Sequence, residues 1–346
     1  MQFALTVPAV KDRVVQAALK LVIEPIFEHE FEPRSYGFRP GLGCKDALRE
    51  VDRHVKAGYC WVVDADLQSY FDSIPHSPLL ARVAGRISDG RVLELIQYFL
   101  KQDIMEDMTR WTPTSGSPQG AVVSPILANL FLHYAFDKWM QRHHEDIPFE
   151  RHADDAVCHC HSLARARMLV DQLRDRFAQC GLELHPQKTR VVYCKDADRR
   201  GDYPDTSFDF LGFTFRPRLS KNRHGKTFVN FSPAVSVKAA KSIRQEVRSW
   251  NLQIRSDKAL DDLARMFNAT IRGWVNYYGA FYKSALYPTL RQIDRKLVLW
   301  ATRKFKRLRG HRRRASHWLE RIARKHTRLF AHWPLLWGQA SVGRAG

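Results

Sequence analysis

Three aspartates have the type and spacing to do chemistry. Asp154 and Asp155 stand side by side between apolar flanks in Phe149-Glu-Arg-His-Ala-Asp-Asp-Ala-Val-Cys-His159. Asp66 closes the earlier run Cys60-Trp-Val-Val-Asp-Ala-Asp66. Adjacent carboxylates in a half-buried segment repel, and one pKa rises unless a cation neutralises the pair. A strand ending in one Asp, with a tight turn carrying two more, can hold two Mg²⁺ ions. Two ions about 3.5–4 Å apart clamp the attacking and leaving oxygens of a phosphoryl transfer. Asp64 shares the strand face of Asp66 and competes with it for this role.

The flanking pattern supplies elements to position these groups. Cys60 to Asp66 reads as a β-rich, apolar, central strand. Phe149 to His161 reads as a hairpin with Ala153-Asp154-Asp155 at its bend. Asp12 to Glu24 predicts a helix with Val15, Leu19 and Val22 on its inner face and Pro25 closing it. Further helices are expected over 46–56, 77–101, 124–140 and 163–180, the last stopped by Gly181 in a left-handed conformation. Residues 105–111 are expected to be extended, 115–120 to be a turn cluster, and Phe208–Phe231 to form a second hairpin. From Ser236 the pattern is helical, over 236–250, 258–282, 286–308 and 313–328. The fold class expected is α+β, a palm-like core followed by an α-helical domain.

Charge divides the chain more sharply than hydropathy does. The formal net charge is +20, and residues 231–346 carry 25 Lys or Arg against 6 Asp or Glu. The front of the chain is close to neutral. A helical module of that density points to nucleic acid through phosphate contacts and counterion release, the alternative being a solvated basic surface. The boundaries expected are 1–60, 61–232 and 233–346. No 18-residue apolar run and no signal-peptide pattern stands out, so no membrane partner is expected. Six scattered cysteines fit a reducing cytoplasm better than a disulfide framework. Cys158-His159-Cys160-His161 alternates as a strand does, and lacks the spacing of zinc ligands.

Eight motifs in order resemble a group II intron reverse transcriptase, or maturase, of bacterial type. They are Val7-Pro-Ala-Val-Lys-Asp-Arg13, Ser35-Tyr-Gly-Phe-Arg-Pro-Gly41, Asp64-Ala-Asp-Leu-Gln-Ser-Tyr-Phe-Asp72 and Gly116-Ser-Pro-Gln-Gly120. His152-Ala-Asp-Asp155, His185-Pro-Gln-Lys-Thr189, Phe210-Leu-Gly-Phe213 and Arg272-Gly-Trp-Val-Asn-Tyr-Tyr278 complete the set. The resemblance implies a right-hand polymerase with partial fingers (1–60), a palm ending in a primer-grip hairpin (61–232) and a basic thumb or maturase domain (233–346). Asp66, Asp154 and Asp155 match the catalytic carboxylates, with two Mg²⁺ ions as cofactors. The aromatic five residues after Asp66, Phe71, matches the gate that excludes a 2′-hydroxyl. Gln119 matches a contact to the nascent pair, and Lys188 a cation near the leaving pyrophosphate.

By the same resemblance, Lys11 and Arg13 approach the incoming triphosphate, Arg39 contacts nucleic acid from the fingers, and Leu211-Gly212 grip the primer. The basic run Arg303, Lys304, Lys306, Arg307, Arg312, Arg313 and Arg314 would hold intron RNA and template–primer duplex. The nearby aromatics Trp274, Tyr277, Tyr278, Trp300 and Trp318 are expected mainly to build the helix core. The implied partners are intron RNA, a DNA primer or target, and dNTPs, in the bacterial cytoplasm and at the nucleoid. His152 stands where the family has Tyr, which adds a titratable group beside the carboxylates. Only Met1 to Thr6 precede the first motif, so the fingers are expected to be incomplete. No Cys-pair or His-Asn-His pattern follows His332, so no appended endonuclease is expected. Two other functions stay open: an RNA-binding splicing cofactor without polymerisation, and a domesticated defence- or CRISPR-associated relative.

Overall fold

The computed structural model describes residues 8–106, 109–222 and 224–338. Met1 to Val7, at the head of the expected fingers, lie outside them. The chain divides into two compact units. The first runs to Phe208 and adds Leu219–Asn230; the second takes Asp209–Arg218 and everything from Phe231.

In chain order the first unit contains α1 (Val10–Glu28), α2 (Cys44–Lys56), β1 (Trp61–Ala65), a single helical turn α3 (Tyr70–Ser73), α4 (His76–Ala84) and α5 (Gly90–Leu100). A small hairpin of β2 (Ile104–Glu106) and β3 (Thr109–Trp111) follows. Then come α6 (Ser124–Leu132), a π-helical stretch (His133–Asp137), α7 (Lys138–His143), β4 (Phe149–His152), β5 (Asp155–Cys160), α8 (Leu163–Gln179) and β6 (Arg190–Tyr193). The sheet has the order β4-β5-β1-β6, antiparallel throughout.

Strand alternation sorts the side chains of that sheet. Trp61, Val63, Ala65, Ala156, Cys158 and Cys160 join the main core with Leu169 and Leu173 of α8 and the apolar residues of α6. On the opposite face α2 lays down Leu48, Val51 and Val55, and His159 pairs there with Glu150 at 2.5 Å. Cys158 and Cys160 therefore point away from His159. Among the described residues no group of three or more His, Cys, Asp or Glu could hold a metal ion.

α1 differs from the sequence expectation. It continues to Glu28 through Pro25, and its buried residues are Gln16, Leu19, Ile23 and Phe27. Val15 and Val22 are exposed, as are Val10, Val14 and Leu21. The helix carries two apolar stripes, and the inner one is completed by a glutamine whose Oε1 accepts the Val122 N–H at 2.8 Å. Pro25 is tolerated because the carbonyl it leaves unbonded belongs to Leu21, on the exposed side.

The second unit is mainly helical. The strands β7 (Phe208–Phe210), β8 (Phe213–Lys221) and β9 (Thr227–Val235) form a three-stranded sheet through which the chain passes from one unit to the other. α9 (Val237–Ser249), α10 (Leu260–Tyr278), α11 (Tyr287–Lys304), α12 (Arg312–Lys325) and the short α13 (Trp333–Trp337) follow. Their core includes Trp250, Ile271, Leu290, Ile293, Leu297, Trp300, Leu319 and Trp333. Trp274, Tyr278 and Trp318 pack against that core, so the aromatics serve mainly as structure.

The composition shift at residue 232 and the structural division differ at one point. Asp209–Arg218 belongs with the helices. Tyr277 donates its hydroxyl to the Leu211 carbonyl at 2.8 Å, and the rings of Tyr277, Tyr278 and Phe281 surround Phe213. Among the described residues no helix is long and apolar enough to cross a membrane.

Candidate active site and nucleic-acid interface

Asp66 follows the last residue of β1, and a second segment wraps it. Its carbonyl accepts the His185 N–H at 2.8 Å, and Gln68 donates to the Glu183 carbonyl at 2.8 Å. This pairing sets the loop before β6 so that Lys188 Nζ stands 3.1 Å and 3.3 Å from the two Asp66 oxygens. Lys188 remains more than half exposed while Asp66 is three-quarters covered.

Asp154 occupies the turn between β4 and β5. His152 pairs with Asp155, leaving Ala153 and Asp154 as a two-residue connection. Ala153 takes φ 58°, a left-handed value that the first central residue of a primed hairpin turn requires. Burial raises the Asp154 carboxyl above its ordinary value, and the Asp66 charge raises it further, while His152 and Lys188 pull it down. Asp154, Asp66 and Lys188 thus sit within electrostatic reach of one another.

Asp155 opens β5 on the exposed side of the turn. Its charge acts on Asp64, whose carboxyl is pushed up to about 7, first by burial, against the pull of Arg190 at 3.4 Å. Asp64 is therefore held by β6 through Arg190. Among the described residues no group of three or more His, Cys, Asp or Glu stands ready to hold a metal ion. Asp66 acts electrostatically on Asp154, and Asp155 and Asp66 both act on Asp64. A buried Asp154 carboxyl, pushed towards protonation by burial and by the Asp66 charge, suits a divalent ion that completes its shell with water and phosphate oxygens.

The turn cluster is stitched to the segment that follows β1, residues 71–76. Ser117 donates to the Phe71 carbonyl and Gly116 to the Ile74 carbonyl, both at 2.7 Å. Gly116 has φ +90°, and a Cβ there would lie 2.8 Å from the Asp72 carbonyl oxygen, so only glycine fits. His76 Nε2 meets the Gly116 carbonyl at 2.7 Å, and Ser117 and Ser124 bond at 2.7 Å. Gln119 is thereby brought to Asp72, with Nε2 3.5 Å from Oδ1. Phe71 is half-buried, edge-on to Tyr70, whose hydroxyl donates to the Ala128 carbonyl at 2.6 Å. Phe71, Asp72 and Gln119 are thus one neighbourhood. Lys11 and Arg13 are exposed on the first turns of α1, which Gln102 anchors through Asp12 at 2.8 Å.

Arg39 is a correction. Its guanidinium faces inward, with Nε 2.9 Å and Nη2 2.8 Å from Glu28 Oε1. Nη1 donates to the carbonyls of Glu32 and Ser35, at 2.6 Å and 2.7 Å. With its donors engaged and only 7% of the side chain exposed, it holds its own loop and does not reach for a nucleic acid.

In the second unit, Leu211 and Gly212 both have positive φ, 49° and 76°, and form a two-residue turn between β7 and β8. A Cβ on Gly212 would come within 3.2 Å of the Tyr278 hydroxyl, so glycine is what allows the aromatic packing. The basic run breaks into three pieces. Arg303 and Lys304 end α11 and donate to the carbonyls of Gln253 and Ser256. Lys306 and Arg307 lie exposed on a 3-10 turn, and after Gly310 the exposed Arg312, Arg313 and Arg314 open α12. A groove of about 1060 Å³ runs past them, lined also by His317, Arg321 and Arg324, the last paired with Glu320 at 2.7 Å. Three cations at a helix N-terminus oppose the helix dipole, and no acidic residue offsets them in the first turn. That placement costs stability unless an anion is bound.

Sequence reasoning missed the group behind the turn. Asn129, His133 and Asp137 recur every four residues along an otherwise apolar segment, a polar stripe that announces a buried network. Arg151 joins Asp137 through Nε at 2.7 Å and Nη2 at 2.6 Å, both side chains fully buried. It also missed β6, a short strand with Arg190 at its head.

The comparisons agree with this geometry. The reverse transcriptase (RNA-dependent DNA polymerase) family matches residues 2–215, and the group II intron, maturase-specific domain matches residues 240–318. The group II intron-encoded protein LtrA of Lactococcus lactis subsp. cremoris is 37% identical over 129 residues, 37% of this chain and 21% of LtrA. Protein YkfC of Escherichia coli is 36% identical over 198 residues, 56% of this chain and 48% of that protein. An uncharacterized 91 kDa protein in the cob intron of Schizosaccharomyces pombe is 40% identical over 129 residues, 37% of this chain and 16% of that protein. The chain thus spans less than half the length of each of these relatives. With a catalytic-domain match over most of its length and a maturase-specific match beyond it, the chain belongs to the reverse transcriptase family, in its group II intron-encoded branch.

Proposed function

We propose that this chain is an RNA-directed DNA polymerase of a group II intron, adding deoxynucleotides to a primer 3′-hydroxyl on an RNA template. The observation that carries this reading is the Asp66–Asp154 pair, held by a strand end and a strained turn, with Lys188 on one oxygen pair. Two Mg²⁺ ions on these carboxylates, with Asp155 beside them, would activate the attacking hydroxyl and neutralise charge on the leaving pyrophosphate. Lys188 supplies a cation at the same edge and can donate to a departing phosphate oxygen. Phe71, half-buried beside Tyr70, would be the ring that excludes a 2′-hydroxyl. Gln119 positions an amide beside it for the nascent pair. Arg13, with Lys11, offers a guanidinium to the triphosphate.

The basic surface of α11 and α12 supports binding of intron RNA and of the template–primer duplex, and with it a maturase role in splicing and retrohoming. Leu211 and Gly212 would bring bare backbone to the primer. The test is extension of a primer on an RNA template with dNTPs and Mg²⁺, by wild type and by Asp154→Asn. Extension that vanishes in the variant supports the polymerase. Absence of extension by both, with salt-sensitive RNA binding retained, supports instead a splicing cofactor. One observation favours that second reading: the exposed cations opening α12 are disposed for anions whether or not the carboxylates are loaded.

A further inference from the structure

Behind the turn that carries Asp154 lies a polar network that no step of the polymerisation uses. Arg151 precedes the turn on β4 and is 1% exposed; Asp137, at the end of the π-helical stretch, is fully buried. Burial alone would raise the Asp137 carboxyl, but the Arg151 guanidinium and its hydrogen bonds hold it below the ordinary value. A buried ion pair is poor value for stability, because desolvating both charges offsets most of their attraction. Its retention here has a geometric reason. The remaining guanidinium nitrogen, Nη1, donates to the Ala153 carbonyl at 2.9 Å and to Asn129 Oδ1 at 3.2 Å.

The Ala153 carbonyl and the Asp154 N–H belong to one planar peptide. Fixing that oxygen therefore fixes the plane from which the Asp154 side chain departs. The Arg151–His152 peptide, at the entry to the turn, is fixed as well. Asn129 Nδ2 donates to the Gly37 carbonyl at 2.6 Å, and Tyr36 donates to the Arg151 carbonyl at 2.7 Å. Gly37 lies so close to the turn that a Cβ on it would come 2.4 Å from the Ala153 nitrogen. Arg39, bonded to Glu28 and to two carbonyls, keeps that glycine loop in place. The left-handed Ala153 is thus gripped on both sides, which is what a strained residue needs in order to persist.

We propose that Arg151, Asp137 and Asn129 are positioning residues that brace the Ala153–Asp154 peptide and so aim the Asp154 carboxylate. The brace rests on the polymerase reading for its purpose, but its geometry can be read separately. Removing Arg151 or Asp137 outright leaves a buried charge alone and endangers the fold, so the test uses Asn129→Ser, with Arg151→Lys as a second variant. Two readouts on the full chain are taken: hydrogen exchange of the amides of residues 152–156, and single-turnover extension at saturating primer–template and dNTP.

In Asn129→Ser, whose short side chain cannot span both the Arg151 Nη1 and the Gly37 carbonyl, the turn amides are expected to exchange about tenfold faster, as befits a net loss of about one buried hydrogen bond. The amides of α8 and α10 should keep their wild-type rates. Extension should slow roughly 100-fold, the scale of an ångström-sized misplacement, with primer–template affinity unchanged. Arg151→Lys, which keeps the charge but not the forked donors, should behave alike. Wild-type exchange at the turn overturns the proposal. So does faster exchange spread over the whole unit, which marks a merely structural role, or an unchanged extension rate beside a loosened turn. If the wild-type chain extends no primer, the polymerase reading fails, and exchange confined to the turn decides the brace.

Discussion

On the proposed reading, Asp154 and the Arg312–Arg314 cluster are both charges for a nucleic-acid substrate, and they are held in opposite ways. Asp154 is one carboxylate on a strained two-residue turn, backed by a buried network of Arg151, Asp137, Asn129 and Gly37. The three arginines are exposed on the first turn of α12, beside a wide groove with further cations in it. A reacting atom tolerates little displacement, so the first region spends buried polar groups on geometry. Phosphate attraction is long-ranged and sums over cations, so the second region spends only charge. The first should therefore fail abruptly under single substitutions, and the second gradually under several.

The largest effect is expected at the carboxylate pair. Asp66→Asn removes one of the carboxylates proposed to hold the metal ions, and the partner of Lys188, and should lower the extension rate by about 1000-fold or more. RNA affinity measured by fluorescence anisotropy should not change. An Asp66→Asn chain that still extends at a tenth of the wild-type rate, on the order of 1.4 kcal/mol of barrier, would dissolve the contrast between the regions.

Next comes the glycine that seats the Gln119 loop. Gly116→Ala forces a Cβ against the Asp72 backbone at a positive φ, and should cost about 1–3 kcal/mol of stability. Chemical denaturation reads it. The same change at Gly310, where φ is +77° but no atom lies within 4 Å, should cost less, because only the conformational penalty remains.

The basic surface should respond by degrees. Replacing Arg312, Arg313 and Arg314 together by Gln should weaken RNA binding and reduce the slope of log affinity against log salt by roughly 2–3. Each single replacement should remove about a third of that. Arg39→Gln gives the matching control: it should lower stability by about 1–3 kcal/mol through lost buried hydrogen bonds and leave the salt slope alone.

The smallest effect concerns pH. His54 is nearly buried beside Glu150 and His159, and burial drops its pKa from 6.5 to about 4 in spite of the Glu150 charge. The unfolded chain binds a proton near 6.5 that the folded chain refuses until about 4. Stability should therefore fall as pH drops through that window. His54→Gln should flatten this part of the profile of melting temperature against pH.

The two regions also differed in how legible they were. Alternating and 3.6-residue patterns were enough to place β1, the β4–β5 hairpin and the helices, because each of those signals is local. Asp66, Asp154 and Lys188 were legible as types in ordered motifs, and the structure brings them together. Arg39 was misread because its partners are a glutamate eleven residues earlier and two carbonyls, and carbonyls leave no mark in a sequence. The inner face of α1 was misread because Val10, Val14, Leu21 and Val22 make an apolar stripe as regular as the buried one. Asp64 and Arg190 find each other only once β6 is aligned to β1, which no local pattern announces. The cationic run needed no fold to be seen, since composition alone displays it.

The most direct test sets both regions in one assay: single-turnover extension on an RNA template at saturating primer–template, with RNA affinity measured on the same samples. Asp154→Asn should bind RNA as wild type does and extend nothing. The triple Arg312, Arg313 and Arg314 to Gln variant should bind weakly yet extend at the wild-type rate once saturated. Loss of RNA binding in the first variant, or of the saturated rate in the second, would contradict the division between a placed charge and a summed one.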